Sequence, residues 1–374
     1  MIIGVPKEIK SHEYRISTLP AGVEEFTKRG YQVLVEQGAG VGSGYEDEMY
    51  TAAGATMVAG PAEIFEKADL VIKVKEPQPG ETAMMRDGQV VFTYFHFAAD
   101  LELSKQCLAS KATCVAYETL VDRKGRLPLL TPMSEVAGRM AIQEGAKYLE
   151  KPMEGRGILL GGVPGVEPAR VLILGGGVVG TQAAIVAAGM GASVTIMDVN
   201  LDRLRYLDEI MPANVNTVYS DLHAIREHAT TSDLVVGAVL IPGGRCPVLI
   251  PKTMLKDMLP GSVIIDVGVD QGGCVETTKP TTHEDPIFII DGVVHYCVAN
   301  MPGAVARTST QALAHATQPY AIKLANAIAA DAHEDLFKRD PEFNSALNMH
   351  AGTVTHEEVA HAIGASYDKT YAMA

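Results

Sequence analysis

Short runs of consecutive apolar residues alternate along the chain with stretches whose apolar positions recur every three or four residues. The first pattern suits strands buried on both faces and the second gives a helix one apolar stripe. Together they predict βαβ units around mostly parallel sheets. In the first third the strands are read at Ile2–Val5, Gln32–Glu36, Leu70–Val74, Val90–Phe95 and Thr113–Tyr117, with helices between them. The segment PAGVEEFTKRG shows the helix logic, since Pro20 fits a first turn and Gly30 a left-handed stop.

From Pro132 a helical pattern, PMSEVAGRMAIQEGAKYLE, runs to about Glu150, and the Gly-rich GRGILLGGVPGVEP follows it. A second αβ series starts at Arg170, and an Ala-rich helical pattern extends from Ala304 to about Ala332. The tail SALNMHAGTVTHEEVAHAIG reads as helical and is too short to fold alone, so it is expected to pack back on the first domain. A chain of 374 residues exceeds one ordinary core. The expected class is α/β, with two doubly wound domains facing across a cleft and joined by long helices. One comprises residues 1–131 plus 331–374 and the other 151–303, with a linking helix at 132–150 and a return helix at 304–330.

Composition narrows the setting. With 47% hydrophobic and 20% charged residues the chain is globular, and a formal charge of -14 argues against polyanion partners such as nucleic acid. An anionic ligand here would need local cations. No apolar run reaches membrane-spanning length, and MIIGVPKEIK lacks the features of a signal peptide. Five cysteines, at 107, 114, 246, 274 and 297, show no CxxC spacing and signal neither a disulfide framework nor a zinc site. A reducing cytoplasm is the expected compartment.

The most specific motif is RVLILGGGVVGTQAAIVAAGMGASVTIMD. A buried strand, Val171–Leu174, leads into Gly175, Gly177 and Gly180 in GxGxxG spacing, which open a helix whose free amides and dipole suit a pyrophosphate. Val178 and Val179 lie within this loop. A second strand, Ser193–Met197, ends on Asp198, where a carboxylate can bind ribose hydroxyls. Glycines alone would serve a tight turn equally well; strand, helix, second strand and terminal acid together point to a Rossmann-like dinucleotide site. Asp198 repels a 2'-phosphate and is followed by Val199 rather than arginine, which favours NAD over NADP. Arg203 fits either an adenine face or a phosphate. Further strand ends are read at Asp233–Val239, Val263–Val269 before Asp270, and His295–Ala299 before Asn300.

The carboxyl ends of the first domain's strands collect cations. DLVIKVKEP carries Lys73 and Lys75 at its end, IIGVP leads to the loop holding Arg15, and the strand containing VFTYF closes on His96. Two or three cations and one imidazole on a rim would cradle a small carboxylate and move protons. The bland readings are a solubilising lysine pair on an edge strand, a satisfied histidine, and a turn cap for Asp270.

These residues resemble the NAD-dependent L-alanine dehydrogenase family over nearly the whole length: VPKE, EYRIS, KVKEP, the strand-terminal histidine, PMSEVAGR, GGVPGVEP, the dinucleotide unit, DQGG, and YCVANMPG followed by TST. The resemblance implies interconversion of alanine with pyruvate and ammonium. It implies that Arg15 and Lys75 hold the substrate carboxylate, that His96 donates and accepts protons, and that Asp270 is the second catalytic residue. It extends the cofactor contacts to Ser134, Val178, Asp198, Arg203, Ser220, Val239, Leu240, Val267 with Gly268 and Val269, Lys279, and Val298, Ala299, Asn300 and Met301. Residues 1–131 plus 331–374 become the substrate domain and 151–303 the NAD domain. A homohexamer is implied as well. Some family members bind a metal through Glu and His on the late helix; Lys323 and Ala327 stand on the corresponding face, so no metal is expected. The rival expectations are the NAD-binding subunit of a transhydrogenase and a non-catalytic NAD sensor.

Overall fold

The structure, a computed structural model, describes residues 1–239, 246–269 and 272–372. Asp270 and Leu240 lie outside the described residues. The chain forms two compact units: Met1–Met133 together with the chain from Gly303 onward, and Ser134–Pro302.

In the first unit β1 (Ile2–Val5), β2 (Gln32–Glu36), β3 (Thr56–Val58), β4 (Leu70–Ile72), β5 (Val90–Thr93) and β6 (Thr113–Ala116) all run parallel. Their spatial order is β6-β5-β4-β1-β2-β3, so β1 and β4 flank the point where strand order reverses. Ile3, Val5, Val33, Val35, Leu70, Val71, Val91 and Phe92 are fully buried. Each such side chain contributes about 1.5–3 kcal/mol relative to exposure, which is why the apolar runs were legible as strands.

Two expectations are corrected here. The strand ending in the lysines is interior, between β5 and β1, so no edge-strand role applies to it. The tail is not wholly helical: β14 (Leu347–His350) pairs antiparallel with β6, and β15 (Thr353–Val354) folds back on β14 before the helix Glu357–Ile363. Leu347 and Met349 alternate with Asn348 and His350, a period of two, and Ala351 and Gly352 turn the chain with φ of 48° and 82°. Met349, Val354, Val359 and Ala360 join the core cluster that includes Ile64, Phe65, Val71 and Val91.

The second unit contains β7 (Arg170–Leu174), β8 (Ser193–Asp198), β9 (Val215–Tyr219), β10 (Leu234–Gly237), β11 (Val263–Asp266), β12 (Ile287–Ile290) and β13 (Val293–Tyr296). The order is β12-β13-β11-β10-β7-β8-β9, parallel except for β12. Both units are α/β sheets of the doubly wound kind. The helix Thr131–Tyr148 packs within this unit through Gly138, where an added Cβ would lie 2.3 Å from the Val179 carbonyl oxygen, and through Gly145 against Leu234. The late helix spans Ala306–Ala329.

Candidate functional site

Parallel strands present all their carboxyl ends on one edge, and in each unit the reversal of strand order opens a crevice there. In the first unit the chain leaves β1 into the loop carrying Glu8, Glu13 and Arg15. It leaves β4 into Lys73–Pro77, β5 into Tyr94–His96, and β6 into Tyr117–Glu118.

Arg15 is buried and rigidly held. Its Nε donates to Glu13 Oε1 at 2.6 Å, Nη2 to Glu13 Oε2 at 2.5 Å, and Nη1 to Met133 Sδ at 2.9 Å. Burial opposes its charge, but the Glu13 carboxylate outweighs burial and holds the guanidinium pKa above its usual value. Lys75 experiences the opposite balance: burial first, then the Arg15 cation, push its ammonium pKa below the ordinary value. Among the described residues no carboxylate forms an ion pair with Lys75. A buried ammonium beside a guanidinium would be stabilised by an incoming anion, so the electrostatics of this pair suit a carboxylate.

Lys73 is not part of that pair, which corrects the expectation of a third cation on the rim. It is fully buried, with Glu81 Oε1 at 2.8 Å and Glu8 Oε2 at 3.2 Å. The other oxygens of the two acids accept backbone amides, Val74 N on Glu8 Oε1 at 2.6 Å and Gln78 N on Glu81 Oε2 at 2.8 Å. The triad therefore fixes the backbone on both sides of Lys75. Burial raises the Glu8 pKa despite the nearby Lys73 charge.

His96 does not end a strand. β5 stops at Thr93, whose Oγ1 donates to the Lys75 carbonyl at 2.9 Å, and His96 adopts the left-handed conformation with φ 51°. For a non-glycine residue that conformation costs about 1–3 kcal/mol and persists only where surroundings enforce it. Here Glu118 enforces it, accepting the amides of Phe95 at 3.1 Å and His96 at 2.6 Å. The imidazole stacks on the Tyr94 ring, with centroids 5.6 Å apart and planes within 4°, and 38% of the side chain stays exposed. The Tyr94 hydroxyl is itself tied to the Leu129 carbonyl at 2.6 Å. By contrast His295 is buried and bonded through both nitrogens, to Thr277 Oγ1 and the Val293 carbonyl, the arrangement of a structural histidine.

The second unit shapes a dinucleotide cradle at the β7 and β10 ends. Gly175 has φ 102°, and a Cβ there would lie 2.6 Å from the Ala238 carbonyl; a Cβ on Gly180 would lie 1.9 Å from the Gly175 carbonyl. Both positions require glycine. Gly177 faces open space, and the helix Val178–Gly189 begins there without a side-chain cap, leaving its first amides for an anion. Asp198 Oδ2 accepts Gly176 N at 2.7 Å and Oδ1 accepts Asn200 N at 2.8 Å, which fixes the carboxylate at the end of β8. Arg203 lies over the Tyr206 ring, donating from Nε to the Gly176 carbonyl at 2.6 Å and from Nη2 to Thr181 Oγ1 at 2.7 Å. It braces the glycine turn, which neither sequence reading of Arg203 included.

Most of the remaining sequence-implied contacts sit at strand ends on the same edge. Ser220 donates its amide to the Asp198 carbonyl, Val267 donates to Gly237, and Val298 bridges to Thr281 next to Ala299, Asn300 and the buried Met301. A Cβ on Gly268 would lie 3.1 Å from the Val239 carbonyl, which brings the β10 and β11 ends together, and Val269 is buried behind Gly268. Ser134 is half-buried one turn before Gly138, and Lys279 is exposed over the Phe288 ring. These residues fit a dinucleotide: a loop that tolerates no Cβ at Gly175 and Gly180, uncapped helix amides and a fixed carboxylate. On the late helix Lys323 pairs with Asp340 and covers Phe343. Among the described residues no cluster of three His, Cys, Asp or Glu side chains stands ready to share a metal ion.

Sequence reasoning missed Glu13 and Glu118. The E-x-R spacing was a signal for the first. A glutamate directly following the buried strand TCVAY was a signal for the second, because an acid there must find donors.

Comparison with known proteins agrees with this geometry. The family model described as alanine dehydrogenase/PNT, N-terminal domain, matches residues 4–137, and its C-terminal counterpart matches residues 141–357. Alanine dehydrogenase of Halomonas elongata is 53% identical, with 98% of each chain covered, and that of Bacillus subtilis 52% identical, covering 98% of this chain and 96% of the relative. A solved L-alanine dehydrogenase structure superimposes with TM-score 0.93 at 46% identity, over 97% of this chain and 99% of that one. A transhydrogenase from Sinorhizobium meliloti shares the fold at TM-score 0.79 and 24% identity. The chain belongs to the alanine dehydrogenase/PNT family.

Proposed function

We propose that the protein is an NAD-dependent L-alanine dehydrogenase, which catalyses L-alanine + NAD+ + H2O = pyruvate + NH4+ + NADH + H+. The observation that carries this reading is the buried Arg15–Lys75 pair, whose ammonium is held below its usual pKa by burial and by the neighbouring guanidinium. Substrate binding is assigned to residues 1–131 with 331–374, and cofactor binding to 151–303. NAD, when bound, accepts the hydride released from the substrate's α-carbon. Arg15 and Lys75 hold the carboxylate of alanine or pyruvate, Arg15 as a fork and Lys75 as a point charge. His96 takes the ammonium proton that must leave before the α-carbon can release hydride. It returns a proton as water adds to the resulting iminium and ammonia departs. Asp270, which lies outside the described residues, is assigned by family resemblance to share these transfers. Asp198 takes the ribose hydroxyls, and the amides after Gly177 the pyrophosphate.

The assay is NADH absorbance: NADH should form from alanine plus NAD, and should be consumed on adding pyruvate and ammonium, with glyoxylate and larger 2-oxo acids for comparison. Absence of turnover in both directions would sink the reading. His96→Ala should lower turnover roughly 100-fold or more with NAD affinity retained. In a transhydrogenase subunit, Arg15, Lys75 and His96 would have no substrate to serve, and none of the helices among the described residues is long and apolar enough to cross a membrane.

We further assign a cytoplasmic homohexamer. Among the described residues the cysteines form no disulfide, which suits a reducing compartment. Leu159, Val163 and Val166, 66%, 53% and 63% exposed within one short segment, supply an apolar surface suited to a subunit contact. Sedimentation of the purified protein tests the assembly, and a monomer at micromolar concentration would exclude it.

A further inference from the structure

We propose that Glu118 is a positioning residue for His96, fixing both the bend that carries the imidazole and the ring nitrogen that keeps the proton. The proposal rests on the assignment of His96 as the proton-transfer group. A single carboxylate accepts two successive amides, Phe95 N at 3.1 Å and His96 N at 2.6 Å, the second belonging to the residue whose φ is 51°. Without an acceptor there, the two amides at the end of β5 lose their partner and the left-handed residue loses what enforces it. The imidazole would then swing away from its stacked position on Tyr94. The same oxygen that takes the His96 amide, Oε1, lies 4.0 Å from His96 Nδ1. That is an ion-pair separation rather than a hydrogen bond, and catalytic contacts commonly shorten once ligands are seated. A carboxylate on this side favours the tautomer with hydrogen on Nδ1, leaving the Nε2 lone pair for the substrate.

Other groups face Glu118 as well. Tyr94, whose hydroxyl is committed to the Leu129 carbonyl, and His356, whose Nδ1 is buried without a hydrogen-bond partner, both sense its charge. Glu357 and Glu358 lie nearest to His356 on the following helix. His356 contributes a second imidazole behind the carboxylate, but its ring does not stack on His96, and the proposal assigns it no proton transfer.

The test uses Glu118→Gln, Glu118→Ala, His96→Ala and the double variant Glu118→Gln/His96→Ala in the full-length enzyme. Glutamine keeps an oxygen for the two amides while removing the charge, so its melting temperature should match the parent within a few degrees. Its kcat should fall about tenfold or more, as part of the contribution of the proton-transfer group, with the KM for pyruvate nearly unchanged. In the His96→Ala background Glu118→Gln should cause no further loss. Nitrogen-15 spectra of histidine-labelled protein should show neutral His96 with hydrogen on Nδ1 in the parent and a mixture of tautomers in Glu118→Gln. Parental kcat in Glu118→Gln, or an undiminished effect of Glu118→Gln without His96, overturns the proposal. If His96→Ala itself turns over normally, the proton-transfer assignment fails instead, and the spectra still report whether Glu118 sets the tautomer.

Discussion

Replacing Lys75 by methionine removes one charge and little volume, and its effect on substrate binding follows from the electrostatics around it. Arg15 is neutralised locally by Glu13, whereas Lys75 forms no ion pair among the described residues and its nearest strong influence after burial is the Arg15 cation, so the charge that a substrate carboxylate would relieve belongs mainly to Lys75. Two unit charges 4 Å apart at an effective dielectric near 20 attract by about 4 kcal/mol. Stripping water from the incoming carboxylate returns part of this, leaving about 2–3 kcal/mol, or about a 30- to 150-fold weaker dissociation constant for pyruvate. The pH dependence carries a definite sign. Burial and Arg15 lower the Lys75 pKa from 10.5, so the charged, binding form is lost as pH rises through the lowered value. In the ligand-free protein the same lowering is destabilising while an unfolded lysine would be protonated, and stability recovers as pH rises. Titrating pyruvate or oxamate into the enzyme–NADH complex by fluorescence, from neutral pH to about 10, measures both effects. Parental affinity should decline below pH 10.5 while the variant's stays flat. A variant within about twofold of the parent at neutral pH, or a parental affinity independent of pH, would refute the argument.

Gly180→Ala places a methyl group 1.9 Å from the Gly175 carbonyl, so helix and loop must separate. We expect a loss of about 1–3 kcal/mol in stability together with weaker NAD binding, checked by thermal melts and NAD titration; a parental result in both contradicts it. Asp198→Ala removes the acceptor for Gly176 N and Asn200 N as well as the proposed ribose ligand. It should weaken NAD binding about tenfold or more and raise NADP use relative to NAD, and an unaltered preference would mean the ribose is held elsewhere. Lys73→Met leaves Glu8 and Glu81 buried without their cation and should cost about 3–5 kcal/mol in chemical denaturation, an outcome ruled out if the midpoint is unmoved.

Strand runs and the glycine signature made most of both sheets legible, because buried parallel strands and a loop that excludes a Cβ at Gly175 and Gly180 leave local marks. The tail was misread because Leu347–Thr355 takes its conformation from pairing with β6, more than two hundred positions earlier, and such a pairing writes only a weak period of two into the sequence. Strand ends were overrun at β4 and β5 for a related reason. Val74, Tyr94 and Phe95 are buried and apolar, but their backbone amides bond to Glu8, the Val74 carbonyl and Glu118 rather than to a ladder. Arg15, Lys75 and His96 were chosen from residue type and placement at strand ends. Of the partners that position them, Glu13 and Glu118 carry only the weak marks of the E-x-R spacing and of an acid closing a buried strand, and Glu8 with Glu81 depend on side-chain geometry that spacing does not encode.

Lys73 and Lys75 show how one short segment separates structure from binding. A buried ion triad is weak evidence for stability, since a well-packed apolar replacement of the whole group can serve as well. What an apolar replacement could not do is accept the amides of Val74 and Gln78, which Glu8 and Glu81 hold while Lys73 balances their charge. The triad thereby fixes the chain at Val74, immediately before Lys75, and at Gln78, three residues after it, and Thr93 clamps the carbonyl of Lys75 itself. An ammonium on a flexible stem is a poor anchor unless its backbone is immobile, because ordering the stem offsets the gain from pairing. The function of the buried triad is thus to make the neighbouring lysine a precise one. Lys73→Met should accordingly weaken pyruvate binding even at temperatures where the variant remains folded, and unchanged affinity in the folded variant would reduce Lys73 to a core residue.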